Sequence, residues 1–408
     1  GTTGTAGNII SGNTSSGIAI EGAAASGNVV LGNYIGLNPA GTAAIANGAY
    51  GVYITSAPSN TIGGTTAADR NVVSGNGTGG MYILGATATG NLVKGNYIGT
   101  NAAGTAAVAN NGAGVWVEAA PSNTIGGTAT GAGNVISGNT NHGLYLYSTT
   151  SGTQVQGNLI GTNAAGTAAV PNQVHGITLS AGTTNNIIGG TTSAARNVIS
   201  GNQIAGVRLA TVTTSGNTIA GNYIGVDING AAPLGNGTFG LFVDATNTTV
   251  GGTANGAGNV IANNGSDGVA VVNASLGNGI LRNTVYSNGG LGIDLGDDNV
   301  TLNNGTKNGA LPNSEMDFPV FTSAVLSGTT LTVAGYVGSA PSQATFAGAR
   351  VEIFKSSIDV SGNGEGQAYL DFLTTDGSGN FSGALTVSGL AVGDRITATA
   401  TDGSNSTS

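Results

Sequence analysis

Short apolar alternations that open with glycine recur along residues 17–271. They have the form Gly–apolar–x–apolar, and they begin at Gly17, Gly51, Gly80, Gly114, Gly143, Gly176, Gly206, Gly240 and Gly268. Alternation with a period of two predicts β-strands that have one buried face. No stretch keeps the 3.6-residue period of an amphipathic helix, so we expect helices to be scarce.

These strands belong to a longer repeat of 63 residues. The string IGG begins at Ile62, Ile125 and Ile188, and it returns as VGG at Val250. Within each unit the glycine-led strands lie alternately about 34 and 29 residues apart, so each unit holds two coils. A fixed period predicts stacked units, each of which buries its apolar face on the next.

Each coil contains three short apolar segments bounded by glycine and asparagine, as in GMYI, NLV and NYIG after Gly80. Three parallel strands per coil, with Gly or Asn at turns that need a positive φ, predict a parallel β-helix. The handedness of parallel crossovers makes it right-handed. We expect an all-β protein with about ten coils, in which stacked asparagines form a hydrogen-bonded ladder at one turn.

Composition narrows the class of protein. Of 408 residues, 75 are Gly and only 7% are charged, and there is no Cys, which excludes disulfides and thiol chemistry. The net charge of −9 argues against a nucleic-acid partner, and no run approaches the ~20 apolar residues of a membrane span. Up to residue 290 we count six acids and five bases, whereas 12 acids and four bases follow, so two regions differ in chemistry.

The phrases GNVISGN, GNYIGTN and NTIGG, and the ending NGGLGIDLGDDNVTLNNG, resemble those of bacterial surface proteins with a right-handed parallel β-helix. That family shares its fold with pectate lyases, and the resemblance covers nearly the whole chain. It implies a β-helix at 1–298, a linker at 299–318 and an Ig-like antiparallel β-sandwich at 319–408. The fold hosts lyases, epimerases, tailspikes and adhesins, so the resemblance is specific for architecture rather than activity.

The start of the chain falls inside a repeat. Residues 1–8 (GTTGTAGN) align with residues 127–134 (GTATGAGN), so we expect the natural polypeptide to extend upstream. The Asn/Thr/Gly-rich, Cys-free, acidic composition suits an extracellular or cell-surface location.

Aromatic residues occupy consecutive outward positions of the glycine-led strands. The third positions include Tyr53, Tyr82, Trp116 and Tyr145, and the fifth positions add Glu118 and Tyr147. Aromatic rings beside a carboxylate are a common means of holding sugar rings, so the column is a candidate glycan site. The alternative is a purely structural column, because cross-strand aromatic pairs also stabilise sheets.

Two glycine-rich acidic loops are candidate calcium sites, since Ca²⁺ takes six to eight oxygen ligands. The first loop offers Asp294, Asp297 and Asp298, and the second offers Asp359, Asn363 and Glu365. Neither matches the EF-hand spacing, and ordinary solvated loops are the alternative.

Catalytic candidates are few. No acid recurs at one face position on neighbouring coils, and Glu118 falls between Leu84 and Tyr147 rather than beside a second acid. His142 and His175 occupy one repeat position on successive coils, either as an acid–base or metal pair or as two turn residues. Arg208 is expected to pair with Asp244 at the surface, where an ion pair contributes little stability.

The sequence therefore favours a non-enzymatic extracellular structural protein, a rod in a cell-surface layer, stalk or head-to-tail filament. Its expected partners are copies of itself or other surface proteins. The first alternative is a carbohydrate-binding adhesin that uses the aromatic column, with polysaccharide as partner. A polysaccharide lyase or epimerase is the third hypothesis. No cofactor other than Ca²⁺ is expected.

Overall fold

The computed structural model describes residues 7–356 and 364–408. Three long parallel sheets wind along one axis, two of ten strands and one of nine, and the chain visits them in strict rotation. The protein is an all-β, right-handed parallel β-helix followed by a small antiparallel module, which confirms the predicted fold class and the three strands per coil.

The strands of the helix are two to six residues long. Sheet 1 contains Ile9–Ile10, Tyr34–Ile35, Val72–Val73, Tyr97–Ile98, Val135–Ile136, Leu159–Ile160, Val198–Ile199, Tyr223–Ile224, Val260–Ala262 and Thr284–Tyr286. Sheet 2 contains Ile18–Glu21, Tyr50–Thr55, Gly79–Leu84, Val115–Glu118, Leu144–Tyr147, Ile177–Ser180, Val207–Ala210, Leu241–Val243, Val269–Val271 and Ile293–Leu295. Sheet 3 contains Val29–Val30, Thr61–Ile62, Leu92–Val93, Thr124–Gly126, Gln154–Gln156, Ile187–Gly189, Thr218–Ala220, Thr249–Gly251 and Gly279–Leu281.

The inward positions of all three sheets form one continuous apolar core. In one coil Ile35, Ile54 and Ile62 come from sheets 1, 2 and 3, and each has at most 1% of its surface exposed. Equivalent residues stack above and below them in register, for example Ile54 on Ile83. Because every strand fixes its inward residues by alternation, the outward residues of each sheet are also held in straight columns.

Asparagine ladders run along three turns rather than the single one that we expected. One ladder precedes sheet 1, a second lies between sheets 1 and 2, and a third precedes sheet 3. Within each ladder the side-chain amide and backbone N–H of one Asn donate to the Oδ1 of the Asn in the next coil, as from Asn96 to Asn134. These amides are almost fully buried, so the ladders satisfy backbone and side-chain groups that water does not reach.

Glycine is required where the chain leaves sheet 1. Gly99 has a φ of 90°, and a Cβ there would collide with the Ser137 carbonyl and the Asn139 side chain of the next coil. A positive φ and this close approach together explain the glycine of the YIG phrase.

The C-terminal module is a sandwich of two three-stranded antiparallel sheets. One sheet contains Pro319–Ser327, Thr330–Val337 and Asn380–Thr386, and the other contains Gly366–Thr374, Arg350–Ser356 and Arg395–Thr401. Phe346, Val351 and Phe381 lie in a second core between them. Helical structure in the described residues is limited to the 3₁₀ turns Ser193–Ala195, Pro312–Glu315 and Ala344–Phe346.

The segment 299–318, expected as a linker, is attached to both parts. Asn313 continues the third asparagine ladder, where its Oδ1 accepts the N–H of Asn278. Met316 lies in the core of the module. No helix in the described ranges is long and apolar enough to cross a membrane.

Candidate functional site

The outward side of sheet 2 carries the predicted aromatic column. Strand register places Tyr53, Tyr82, Trp116 and Tyr145 opposite one another on four successive coils. The column continues through Thr178, Arg208 and Phe242. We call the surface formed by this column and its immediate neighbours, from Tyr50 to Phe242, the ladder face.

The four rings are stacked on one another along the rod. Ring centroids lie 5.6 Å apart for Tyr53–Tyr82, 5.0 Å for Tyr82–Trp116 and 5.5 Å for Trp116–Tyr145, with interplanar angles of 28–38°. Tilted rings at this spacing overlap in part, so each ring covers part of its neighbour. All four residues are half-buried. A sugar would therefore contact the ring edges and hydroxyls that the stacking leaves uncovered.

A second column runs beside the first, at the residue that precedes each strand glycine. Tyr50 occupies this position and packs on the Tyr82 ring at 4.9 Å, while Gly79 in the next coil leaves room for it. His142 and His175 occupy the same position further along. The sequence interpretation missed Tyr50, although its place in the same repeat position as the two histidines was a usable signal.

Glu118 supplies the carboxylate in the middle of the ladder face. The Tyr82 hydroxyl donates to Glu118 Oε2 at 2.7 Å. Burial raises the pKa of Tyr82, and the hydrogen bond to Glu118 raises it further, so the phenol stays protonated. The other carboxylate oxygen has no hydrogen-bond partner in the described part of the chain. Glu118 can thus accept a bond from a ligand hydroxyl while Tyr82 holds it in place.

Tyr147, the remaining predicted residue of the face, flanks the column at its edge. Its ring lies 5.2 Å from Tyr145 and meets Trp116 edge-on at 6.3 Å. The structure therefore brings all six predicted ladder residues together on one surface. Whether they hold a glycan stays a prediction.

The two histidines lie together next to Tyr145. Their rings stack at 5.4 Å with an interplanar angle of 9°, and the His142 ring lies 4.9 Å from Tyr145. His142 Nδ1 is 3.1 Å from Thr178 Oγ1. His175 Nδ1 accepts the Ala205 N–H, which leaves the proton of the neutral ring on Nε2.

Both histidines are neutral at ordinary pH. Burial, with a contribution from Arg208, lowers the pKa of His142 to about 4. Burial, then His142 and Arg208, lowers that of His175 to about 3. Desolvation favours the uncharged ring, and a nearby cation adds to this effect. A neutral imidazole can accept a proton, so His142 is a candidate base, although its low pKa makes it a weak one.

Arg208 does not form the expected ion pair with Asp244. The residue opposite Arg208 on the next coil is Phe242, and the guanidinium lies 5.7 Å from that ring. The ion pairs of the described residues are Lys307–Asp402, Arg350–Glu352 and Lys355–Asp394, all outside the helix coils. The strand alternation places the two side chains in different columns, which the sequence comparison of neighbouring coils overlooked.

The first acidic loop folds at the end of sheet 2. The carboxylate of Asp294 accepts the N–H groups of Asp297 and Asn299, at 3.1 and 3.0 Å. Burial and the neighbouring Asp267 and Asp298 raise the pKa of Asp297. No group of three or more His, Cys, Asp or Glu residues in the described ranges is arranged to hold a metal ion.

The second acidic loop is mostly outside the described residues, which do not include Asp359 and Asn363. Glu365 is described, and its carboxylate accepts the N–H of Ser287 at 2.5 Å. It is thus engaged with the last helix coil. Calcium binding at either loop stays a prediction.

Comparisons with solved structures find the β-helix fold in two epimerases and a bacteriophage tailspike. No family model matches the chain. A periplasmic alginate epimerase, AlgG, is 16% identical with a TM-score of 0.37, over 64% of this chain and 57% of that one. Tailspike protein 2 of Escherichia coli O157:H7 bacteriophage CAB120 is 10% identical with a TM-score of 0.36, over 97% and 61%. The A-module of the Azotobacter vinelandii mannuronan C-5 epimerase AlgE6 is 14% identical with a TM-score of 0.31, over 69% and 70%.

The chain spans less than three fifths of the length of the alginate epimerases.

The names of the similar structures correct two expectations from the sequence. We expected a non-enzymatic structural protein, and we expected no enzyme, but the similar solved structures are epimerases and an enzymatically active tailspike domain. Sequence inspection favoured a pure scaffold because it sought paired acids on adjacent coils. It gave little weight to the groups that stacking brings beside the aromatic column.

Proposed function

We propose that the protein binds a polysaccharide along the ladder face. The observation that carries this proposal is the continuous line of ring edges and hydroxyls on one side of the rod, with the Glu118 carboxylate in its middle. From Tyr53 to Phe242 the column rises six coils, about 29 Å at the usual strand spacing of ~4.8 Å. An extended polymer of hydroxyl-bearing rings has the length and chemistry to follow such a line.

The contacts would be hydrogen bonds supported by apolar ring edges. Burial raises the pKa of Tyr50, Tyr82 and Tyr145, so all three phenols stay protonated across ordinary pH. The Tyr82 hydroxyl donates to Glu118, which leaves Tyr50 and Tyr145 as donors to a ligand. Glu118 is the matching acceptor. Small-molecule sites combine apolar area with a few placed polar groups in the same way.

A second function, proton transfer on the bound polysaccharide, is favoured by the position of His142, whose ring lies 4.9 Å from Tyr145 and stacks on His175. If its Nδ1–H donates to Thr178 Oγ1, the Nε2 lone pair is free to accept a proton, and the protonated Tyr145 beside it can donate one. Hydrolysis of a glycosidic bond by two carboxylates has less support. The two catalytic carboxylates of such enzymes lie about 5–9.5 Å apart. Glu21, the nearest acid in the column of Glu118, is three coils or about 14 Å away.

A binding assay with matched variants tests the first function. We would screen the protein on a glycan array and measure affinities for the positive polymers by affinity electrophoresis. Tyr82→Phe with Tyr145→Phe removes two hydroxyls and keeps both rings. Loss of the Tyr145 hydroxyl as a ligand contact, and of the hydrogen bond by which Tyr82 holds Glu118, at about 0.5–1.5 kcal/mol each, predicts binding weaker by about tenfold.

The matched control is Tyr97→Phe with Tyr223→Phe. These half-buried tyrosines lie on sheet 1, under Arg70 and Arg196, and are not part of the ladder face. The control pair should bind as the unaltered protein does. Equal binding by the ladder-face variant and the control variant, or no binding by the unaltered protein, would contradict the proposal.

Proton transfer is tested by incubating a binding polymer in deuterated water. Exchange of carbon-bound hydrogen seen by NMR, or formation of an unsaturated sugar, is expected with the native chain and lost in His142→Gln. Activity that survives this substitution would exclude His142 as the base. An extracellular or periplasmic site of action suits the proposed role, and association with other copies of the chain stays a prediction.

A further inference from the structure

One positive charge stands alone on the ladder face. Arg208 is exposed, and it is part of no ion pair among the described residues. The groups around it are Thr178 on one neighbouring coil and Phe242 on the other. The two histidines close enough to influence it electrostatically are neutral. The guanidinium therefore has no ion-pair partner within 4 Å among the described residues.

Glu118 supplies a negative charge on the same face as Arg208. Glu118 neighbours Trp116, which lies three coils from Arg208 in register. Three coils correspond to about 14 Å along the rod. Asp244, the other acid nearby, lies one coil beyond Arg208 in the column of Glu118 rather than opposite the guanidinium. A ligand that follows the face therefore meets the Glu118 carboxylate, then the Arg208 guanidinium and, one coil beyond it, the Asp244 carboxylate.

Arg208 and Glu118 impose different requirements on a polymer. A guanidinium binds carboxylate or sulfate with paired hydrogen bonds, and its planar fork favours one orientation of the anion. A sugar carboxylate beside Glu118 would face a like charge, whereas a neutral sugar there would donate its hydroxyls. The best ligand has an anionic unit at Arg208 and a neutral unit at Glu118.

We infer that the ladder face selects a mixed polysaccharide, in which acidic and neutral sugars alternate, over a uniformly acidic or a neutral polymer. This inference rests on the proposed function of the face. It specifies the ligand by charge spacing, with Arg208 as the positioning residue for the anion and Glu118 as the residue that excludes a second one.

The experiment uses three polymers of comparable length: hyaluronan, in which a uronate alternates with a neutral amino sugar, polygalacturonate, which is acidic at every unit, and dextran, which is neutral. Affinities are measured by calorimetry with the full chain. Hyaluronan should bind most tightly. Arg208→Gln should weaken its binding by about tenfold or more, while Arg208→Lys should retain part of it.

Glu118→Gln tests whether the Glu118 charge excludes an acidic sugar, because it keeps a hydrogen-bonding side chain and removes the charge. This variant should bind polygalacturonate several-fold more tightly than the unaltered protein does, while Arg208→Gln should bind it less tightly. A sulfated galactan, which carries sulfate and no carboxylate, distinguishes carboxylate from sulfate as the anion at Arg208. Circular dichroism checks that each variant is folded.

Three outcomes overturn the inference. If dextran binds as tightly as hyaluronan and Arg208→Gln has no effect, the selection by charge is wrong while binding by the ladder face stands. If polygalacturonate is preferred and Glu118→Gln leaves that preference unchanged, the exclusion by Glu118 is wrong. If no polymer binds, the proposed function fails together with the inference.

Discussion

Burial, rather than salt bridges, sets the protonation state of the two histidines on the ladder face. His175 has 5% of its surface exposed, and it remains neutral because its charged form would be desolvated. His142 shares this environment and is bonded to Thr178. The acid–base character of the face therefore follows from how the coils stack and not from the residue types alone.

The histidine pair predicts a pH dependence of stability. The usual histidine pKa of 6.5 applies to the unfolded chain, whereas the folded values are about 4 and about 3. As pH falls below about 6.5, the unfolded chain binds protons that the folded protein does not, so this contribution is present above pH 6.5 and is lost toward pH 4.

Denaturant unfolding across this pH range tests the effect. His142→Gln with His175→Gln should show a shallower loss of unfolding free energy between about pH 6.5 and pH 4 than the native chain. Identical slopes for the two proteins would show that the rings are not held neutral by the fold.

The positions of the ladder residues were predictable from the sequence, whereas their geometry was not. Alternation along GxYx strands and the spacing of glycines were enough to place Trp116 opposite Tyr82 and Tyr145. The tilt of each ring depends on contacts between coils, so the stacking of the rings and the Tyr82–Glu118 hydrogen bond appear only in the structure. Tyr50 was missed because it precedes the glycine from which we counted.

At the scale of the repeating elements, the asparagine ladders link each coil to the next. Most internal Asn residues both accept and donate within their ladder, so they pair groups on two coils. The third ladder is interrupted at Thr153 and Thr248, whose buried hydroxyls have no hydrogen-bond partner. There the side-chain amides of the preceding residues, Asn123 and Asn217, donate to backbone carbonyls instead.

Thr153→Asn should therefore stabilise the protein. The new Oδ1 would accept from the backbone N–H and side chain of Asn123, as Asn123 itself accepts from Asn91, and the unpaired hydroxyl would be gone. We expect a gain of about 1 kcal/mol in the free energy of unfolding, the typical net value of a hydrogen bond. Thermal and denaturant unfolding measure it, and a loss of stability would mean that the turn has no room for the amide.

Asn134→Ala should have the opposite effect in the first ladder. Its Oδ1 accepts from the backbone and side chain of Asn96, and its Nδ2 donates to the Val93 carbonyl and Asn158. Removal leaves buried groups unpaired, at about 1–3 kcal/mol each, so we expect a loss of several kcal/mol. Asn38→Ala in an exposed loop is the control, and comparable losses would contradict a special role for the ladder.

At the scale of the whole molecule, the C-terminal module closes the end of the β-helix. The last coil exposes N–H groups that have no further strand to bond. Glu352 accepts the N–H of Arg282 at 2.6 Å, Glu365 accepts that of Ser287, and Thr407 accepts that of Ile280. A covered edge is protected from pairing with another chain.

The sequence predicted a separate antiparallel module after the β-helix. It did not predict which side chains of that module would contact the last coil. The carboxylates that meet the last coil come from residues some 70 positions later in the chain, and Glu365 had been assigned to a calcium loop.

Glu365→Ala should loosen this junction. Hydrogen exchange of the amides near Ser287 is expected to speed up, while exchange at central coils stays unchanged, because the N–H that loses its acceptor lies in the last coil. Glu365→Gln retains an acceptor and should show a smaller effect. Unchanged exchange near Ser287 in both variants would contradict the role of Glu365 as a cap.

The central claim is that a polysaccharide lies on the ladder face, and the single tryptophan tests it most directly. Trp116 is the only Trp in the chain and lies in the middle of the column, so all tryptophan emission reports on this surface. Titration with a binding polymer, followed by quenching with acrylamide, measures whether the ligand covers it. The account predicts a saturable change in emission and reduced quenching at saturation, whereas binding that leaves the quenching of Trp116 unchanged would place the polysaccharide elsewhere and contradict the account.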